Sequence, residues 1–276
     1  MIKFKLFEPH PLLATFVQSI FVVDHVLDPG EGVIVGQYPP TPQHCIFLYI
    51  KEKFKAKKVN ESEYRIRSKA VVVGPQVTRM ELTVSHDYTV AVVGFRPGGL
   101  FRLLGIPMEE IFDDGFDGFE LMGNDINDLV DRCAEIESLD KINECIENYL
   151  LGKLSKVKEL LPVDKALQQM LHFQGHMPIT QVADHACLSL RQFERKCKER
   201  LGLSPKVYSR LIRFSNAYRL FEKSETPNWS EIAYTAGYYD QMHFIKDFKE
   251  FAGITPTMME EELKRKPLRF QTAIRF

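Results

Sequence analysis

The stretch Ser230–Pro256, SEIAYTAGYYDQMHFIKDFKEFAGITP, decides the fold of the C-terminal half because its pattern occurs twice. About fifty residues earlier, Thr180–Pro205 reads TQVADHACLSLRQFERKCKERLGLSP. The matched positions stand 50 residues apart, then 51 apart after one inserted residue: Ala183 with Ala233, Ala186 with Ala236, Ser189 with Asp240, Phe193 with Phe244, Arg195 with Lys246, Gly202 with Gly253 and Pro205 with Pro256. Repetition at this spacing predicts one small structural unit present in two copies.

The first copy has the signals of two short helices joined by a turn. Thr180 is expected to cap a helix that ends near His185, and Ser189 is expected to cap the next one. Gly202 should end this second helix, because glycine adopts the left-handed conformation at little cost. Two helices joined by a tight turn approach closely only beside a small side chain, which Ala183 supplies. The pattern therefore predicts a helix-turn-helix.

Both units and the segment between them can be placed along the chain. The first unit is predicted at about residues 179–202, and the second, with Gly237 at its turn, at about 229–252. The intervening PKVYSRLIRFSNAYRLFEK, about 205–223, has one apolar stripe and predicts a linker helix. By their spacing, three aromatic residues are expected in the core and not on a stacking surface: Trp229, Phe244 and Phe248.

The net charge of −1 conceals an asymmetry between the two halves. Residues 1–160 carry 18 Lys and Arg against 24 Asp and Glu, whereas residues 161–276 carry 18 against 13. A basic half favours a polyanionic partner such as nucleic acid, although solvated helix faces often carry as much charge. We predict two domains, residues 1–155 and 156–276.

The N-terminal half has the period of strands. Short alternating or β-branched runs, such as HCIFLYI at 44–50 and YTVAVVGF at 88–95, are separated by Pro and Gly turns. After RPGG at 96–99 the pattern becomes helical, and residues 129–154 predict two antiparallel helices. The expected fold class is α+β, with an antiparallel β-sandwich or barrel-like domain and following helices, then an all-α domain.

Several classes of protein are disfavoured by composition. No run approaches 18 consecutive apolar residues, and the N-terminal segment has Glu8 and two prolines where a signal peptide needs an apolar core. The sequence thus predicts no membrane segment and a cytoplasmic location. Five cysteines without a C-x-x-C pair favour neither a disulfide framework nor a zinc site. They are expected to be small buried side chains: Cys45, Cys133, Cys145, Cys187 and Cys197.

With its two units and linker helix, the region of roughly 163–262 resembles the C-terminal DNA-binding domain of AraC-type transcription regulators. In that family the sequence of the second unit follows approximately the pattern I-A-x-x-x-G-F-x-D-x-x-x-F-x-R-x-F-K-x-x-x-G-x-T-P. Tyr238 departs from the usual Phe, and Lys246 replaces the usual Arg, which keeps the charge but gives up bidentate geometry. The chain supplies the other positions in register: Ile232, Ala233, Gly237, Asp240, Phe244, Phe248, Lys249, Gly253, Thr255 and Pro256.

The resemblance also implies which side chains face DNA. The second helix of each unit would enter the major groove, and Arg191 and Arg195 are the strongest candidates because arginine commonly binds guanine. His243 is expected nearer to a phosphate than to a base. The implied base-facing positions are Arg191, Gln192, Glu194 and Arg195 in the first unit, and Gln241, Met242, His243 and Lys246 in the second.

The N-terminal half carries a second resemblance. Its VVGFRPGGLFRLLGIPMEEIFD is similar to a run, F-x-P-G-G-x-x-x-L-L-G-x-P, of a β-barrel-like domain that precedes AraC-type DNA-binding domains. As a phosphate loop RPGG fails, since Pro97 removes an amide donor and no G-K-[ST] follows. A calcium loop from Asp113 would need Glu at position 124, where Asn124 stands. His44 and His86 lack the metal-binding pattern of cupins.

The predicted function is a sequence-specific transcription regulator, not an enzyme, with no cofactor or metal. The expected partner is double-stranded promoter DNA; RNA polymerase, a small-molecule effector and a second copy in a homodimer are further candidates. Two other classes remain open: an architectural DNA-bending protein, and a cupin-like or DNA-repair enzyme fused to the DNA-binding domain. No Pro-Cys-His signature supports repair.

Overall fold

The N-terminal strands form two antiparallel sheets. The computed structural model describes residues 2–26, 33–52, 54–84 and 87–265. Within them the strands are β1 Ile2–Phe7, β2 Val17–His25, β3 Ile34–Tyr38, β4 Cys45–Tyr49, β5 Lys55–Lys58, β6 Arg65–Ile66, β7 Ala70–Val73, β8 Met80–Val84, β9 Tyr88–Phe95 and β10 Gly115–Asp117. The strand orders are β1-β2-β9-β4-β7-β10 and β3-β8-β5-β6. The predicted antiparallel β domain is confirmed, and neither sheet closes on itself.

Strand β9 shows why a strand of this half can be apolar along its whole length. All eight of its residues are buried. Tyr88, Val90 and Val92 point into the core between the sheets, whereas Ala91, Val93 and Phe95 belong to the core under the helices. Alternate side chains of a strand face opposite sides, so a strand covered on both faces must be apolar throughout.

The turn RPGG leads into a helix, as the sequence predicts. Gly98 has a φ of 77°, which glycine adopts without strain, and helix α1, Gly99–Leu104, follows at once. The next helices are α2 Gly118–Met122, α3 Asp125–Ala134 and α4 Leu139–Leu151, with short 3-10 turns at Met108–Ile111 and Leu154–Lys156. The predicted pair of helices between 129 and 154 is thus present as α3 and α4, and both cover the larger sheet.

The C-terminal half is helical throughout its described residues. Its helices are α5 Pro162–His172, α6 Ile179–His185, α7 Leu190–Leu201, α8 Pro205–Lys223, α9 Trp229–Thr235, α10 Gln241–Ala252 and α11 Pro256–Arg265. One cluster of buried side chains, from Val163 to Met259, joins all of them. No helix among the described residues is long and apolar enough to cross a membrane.

Two local expectations were wrong. Thr180 does not cap α6, because the helix already begins at Ile179 after Pro178 and its start has no side-chain cap. Cys187 is exposed and Cys145 is only partly buried, whereas the other three cysteines are buried as expected. Apolar character alone therefore overestimated the burial of cysteine.

The two halves touch at several points. Gly202, which ends α7 with a φ of 74°, leaves no room for a side chain, because a Cβ there would lie 2.8 Å from the carbonyl oxygen of Met108. Arg79, between β7 and β8, forms an ion pair of 2.6 Å with Glu262 of α11. The N-terminal half thus contacts elements next to both helix-turn-helix units, and the domain boundary near residue 155 stays a prediction.

Candidate nucleic-acid interface

The two helix-turn-helix units have the same turn. At its sharpest point the backbone is left-handed, with a φ of 55° at Cys187 and 80° at Gly237. Cys187 is therefore the geometric counterpart of Gly237. After each turn an amide donates to the carbonyl of the small helix residue at 3.0 Å: Leu188 to Ala183, and Tyr238 to Ala233.

Recognition helix α7 begins with a capping box. The Ser189 hydroxyl accepts from the Gln192 amide at 3.4 Å, and Gln192 Oε1 accepts from the Ser189 amide at 3.0 Å. The inner face of the helix is buried through Phe193, Cys197 and Leu201. On the outer face, Arg191 and Arg195 make no hydrogen bond or ion pair with another described residue. Both guanidinium groups are therefore available to a ligand.

Recognition helix α10 is capped by an aspartate. Asp240 Oδ1 accepts from the His243 amide at 2.8 Å, and Asp240 Oδ2 lies 2.5 Å from His243 Nδ1. The backbone hydrogen bond from His243, followed by its side-chain bond, lowers the pKa of Asp240. Met242, in the first turn, is 75% exposed. The inner face consists of Phe244, Phe248 and Phe251.

Gln192 and His243 occupy equivalent positions, three residues after each cap residue, and both are engaged in capping. Either side chain would have to leave its cap to reach a base. The eight predicted positions all lie on the exposed surface of the two recognition helices, and six of them are outside the caps: Arg191, Glu194, Arg195, Gln241, Met242 and Lys246.

Linker helix α8 holds the second recognition helix through an ion-pair fork. Arg210 of α8 lies 2.7 Å from Asp247 and 2.5 Å from Glu250, both on α10. Beneath this fork, the rings of Phe214 and Phe248 meet edge to face, with centroids 5.3 Å apart. Because charge-assisted bonds and aromatic packing act together, α8 and α10 form one rigid element.

Residues outside the recognition helices extend this surface. An open groove of about 480 Å³ lies between α8 and α10, and its lining residues include Lys206, Arg213, Tyr239 and Lys246. Tyr239 is fully exposed. Cationic side chains and hydroxyls are the usual partners of phosphate oxygens. Sequence reasoning missed Lys206, Arg213 and Tyr239 because it looked only within the two recognition helices; for Tyr239, its position directly before the cap residue was the available signal.

A narrow, partly open cavity of about 30 Å³ lies between the N-terminal sheets. Its walls include Tyr38, Phe47, Tyr49 and Arg67. Burial raises the pKa of both tyrosines, so their hydroxyls stay neutral. The walls of the cavity are therefore mostly apolar and uncharged, with Arg67 as the cationic side chain.

The histidines that suggested a cupin site do not come together in the described structure. His44 is fully buried, and desolvation lowers its pKa to about 3, so its ring is neutral at physiological pH. His86 lies outside the described residues. Across the described part of the chain, no group of three or more His, Cys, Asp and Glu side chains could hold a metal ion.

Comparison with known proteins gives two family matches. Residues 182–262 match the family of helix-turn-helix domains HTH_18, and residues 5–117 match a domain of unknown function, DUF6597. The HTH-type transcriptional activator RhaS of Escherichia coli O1:K1 / APEC is 36% identical over 78 residues. These residues are 28% of this chain and 28% of RhaS, so the chain spans little more than a quarter of the curated relatives it matches.

Among solved structures, ToxT from Vibrio cholerae O395 has 14% identity and a TM-score of 0.46, over 83% of this chain and 95% of ToxT. The DNA-binding domain of AdpA, solved with a target DNA, has 21% identity and a TM-score of 0.37, over 40% of this chain and all of that domain. The helix-turn-helix match falls on the two units of α6 with α7 and α9 with α10. Residues 182–262 therefore belong to the helix-turn-helix family HTH_18.

Proposed function

We propose that the protein is a sequence-specific transcription regulator that binds double-stranded promoter DNA with both helix-turn-helix units. The observation that carries this proposal is the pair of exposed recognition helices, α7 and α10, on one continuous core with linker helix α8. A helix fits the major groove, and successive turns of the groove on one face are about 34 Å apart. Because the two units are joined in one chain, binding of the second recognition helix to DNA is intramolecular once the first is bound. Two weak contacts together can therefore give specific binding to one DNA site.

Each exposed side chain has a DNA group that suits its chemistry. Arg191 and Arg195 suit guanine, Glu194 suits a cytosine amino group and Gln241 suits adenine. Lys246 supplies a point charge that reaches one guanine acceptor or a phosphate. The first unit is therefore proposed to discriminate more strongly than the second.

The remaining positions are proposed to orient the helices and to contact the backbone. Gln192 and His243 cap the N-terminal ends of α7 and α10. His243 is proposed to contact a phosphate at that end of α10. Lys206 and Tyr239, which line the groove beside α10, are assigned to phosphates of the second half-site.

The N-terminal half is proposed to regulate DNA binding and not to catalyse a reaction. Its contacts with elements near both units allow a ligand or a second subunit to change their arrangement. Such coupling is typically worth about 1–3 kcal/mol. A cytoplasmic regulator of this kind would act with RNA polymerase at the promoter, and a homodimer would add avidity.

In vitro selection from random duplexes, followed by hydroxyl-radical footprinting, tests the proposal on the full-length chain. We expect two protected segments about 10 base pairs apart on one face, and binding to the selected site about a thousandfold tighter than to random DNA. Equal affinity for selected and random duplexes, with strong bending, would favour the architectural protein. A chemical change in the duplex would favour the repair enzyme, and no DNA binding at low salt would reject the proposal.

A further inference from the structure

We infer that the cleft between the N-terminal half and helices α5 and α8 binds a small anion that carries a carboxylate or a phosphate. The cleft has a volume of about 270 Å³, just below the usual range of drug-sized sites, so it suits a compact molecule. One wall is formed by β2 and the RPGG turn, and the opposite wall by α5 and the linker helix. The polar lining residues are Gln18, Arg96, Gln168, His172, Gln174, Asn216 and Arg219.

The charge of the cleft points to an anion. Arg96 and Arg219 come from opposite walls, and no carboxylate stands among the described residues that line the cleft. Arg96 donates through Nε to the Ala14 carbonyl at 2.7 Å, and its terminal nitrogens have no protein acceptor within the described structure. Burial lowers the pKa of Arg219, which shows that its charge is partly removed from water. Because a carboxylate or phosphate matches the fork of a guanidinium, both arginines suit such a ligand.

Two buried polar atoms at the cleft lack a partner. Asn216 is 7% exposed, and its Nδ2 donor has no hydrogen-bond acceptor among the described residues, although its Oδ1 accepts from Arg219 at 2.9 Å. Gln18 Oε1 is likewise buried without a donor. Unpaired buried groups are rare in folded proteins. An anionic oxygen would accept from Asn216, and a hydroxyl on the same molecule would donate to Gln18.

Two other cavities among the described residues fit an anion less well. The cavity between the sheets has a volume of about 30 Å³, against about 270 Å³ for the cleft, and its walls are mostly apolar. The groove beside α10 contains the carboxylate of Asp247 and belongs to the surface assigned to DNA. The polar lining of the cleft also selects a compact, hydrated molecule over one with a long apolar chain.

The position of the cleft gives the anion a regulatory consequence. A ligand that touches both walls stabilises their present arrangement by mass action. Linker helix α8 carries Asn216 and Arg219 and also holds the second recognition helix through Arg210. If DNA binds this arrangement of the two halves more tightly than another, the anion raises DNA affinity; if DNA binds another arrangement more tightly, the anion lowers it. This consequence rests on the proposed function, whereas binding of the anion does not.

Calorimetric titration of the full-length protein without DNA tests the site. The probes are inorganic phosphate, citrate, gluconate and glucose 6-phosphate, with glucose as the neutral control. We expect at least one anion to bind and glucose not to bind. Arg96→Gln and Arg219→Gln should each raise the dissociation constant at least about tenfold, because each removes one charged partner. Arg132→Gln makes the same change at an exposed position of α3 and should leave binding unchanged.

If none of the four anions binds at about 10 mM, a concentration that detects even weak sites, the inference is wrong. Binding that survives both cleft substitutions would also overturn it, because the anion would then lie elsewhere. If Arg96→Gln does not fold, since it loses the bond to Ala14, Arg219→Gln decides alone. If the protein binds the anion but not DNA, this inference stands and the proposed function is wrong. If it binds DNA but none of the anions, only this inference is wrong.

Discussion

Arg200 at the end of α7 and Asp164 near the start of α5 form a buried ion pair, in which Arg200 Nε donates to Asp164 Oδ1 at 2.7 Å. Their side chains are only 4% and 1% exposed. Asp164 Oδ2 also accepts from the Leu161 amide at 2.9 Å and so caps α5. The guanidinium of Arg200 lies 4.8 Å from the ring centroid of Phe101 in α1. One arginine thus joins the first recognition helix to α5 and to the N-terminal half.

Replacing Arg200 by leucine should destabilise the protein by about 3 kcal/mol, because it leaves the Asp164 carboxylate buried without its partner. We expect the lower end of the usual range, since Arg102 also interacts electrostatically with Asp164. Urea unfolding of the full chain measures the change. The double variant Arg200→Leu with Asp164→Leu should lose less than the two single variants together. If the double variant lost as much free energy of unfolding as the two single variants together, the two residues would not stabilise each other.

Arg191→Ala and Arg195→Ala should each weaken binding to a selected DNA site by about 1–3 kcal/mol and relax base preference in one half-site only. The reason is that both side chains are exposed on α7 and have no protein partner among the described residues. Titrations on selected and random duplexes give the measurement, with Lys198→Ala on the same helix as the control. An equal loss on both duplexes would assign the two arginines to phosphates instead.

Lys246→Arg should sharpen base preference at the second half-site. A lysine reaches one acceptor, whereas an arginine can bind O6 and N7 of guanine together. Lys246 is exposed on α10, so the longer side chain has room. Repeating the selection with this variant gives the measurement, and the first half-site serves as the internal control. An unchanged second half-site would remove Lys246 from the base-facing set.

Met242 is expected to contact the methyl group of a thymine. It is 75% exposed in the first turn of α10, and apolar side chains in the major groove recognise this methyl. Replacing thymine by deoxyuridine in the second half-site removes only the methyl and should cost wild type about 1 kcal/mol. Met242→Ala should be insensitive to the replacement. A penalty of equal size in both proteins would place another residue against the methyl.

Cys187→Gly should stabilise the protein by about 0.5–1 kcal/mol. Cys187 has a φ of 55°, a conformation that costs a residue with a Cβ more than it costs glycine, and its exposed side chain contributes little packing. The midpoint of urea unfolding measures the gain. Cys187→Ala keeps the Cβ and should bring no such gain; stabilisation by alanine would point to the thiol and not to the backbone.

The sequence alone predicted the elements whose signals lie close together in the chain. Ser189 and Gly202 mark the two ends of α7 as expected, and Pro205 begins the linker helix. The β-branched run of β9 predicted a strand, and the repeat predicted two units of the same kind. These features could be predicted because caps, turns and periods depend on residues within a few positions of one another.

Tertiary structure decided which side chains meet across large sequence separations. Cys187 reads as a core residue, yet it is exposed, because the backbone of the turn points its side chain to solvent. The cleft joins Arg96 to Arg219, and Arg200 meets Asp164, only through the packing of distant elements. Periodicity defines the buried face of each element, whereas the partner of that face depends on how all the elements pack together.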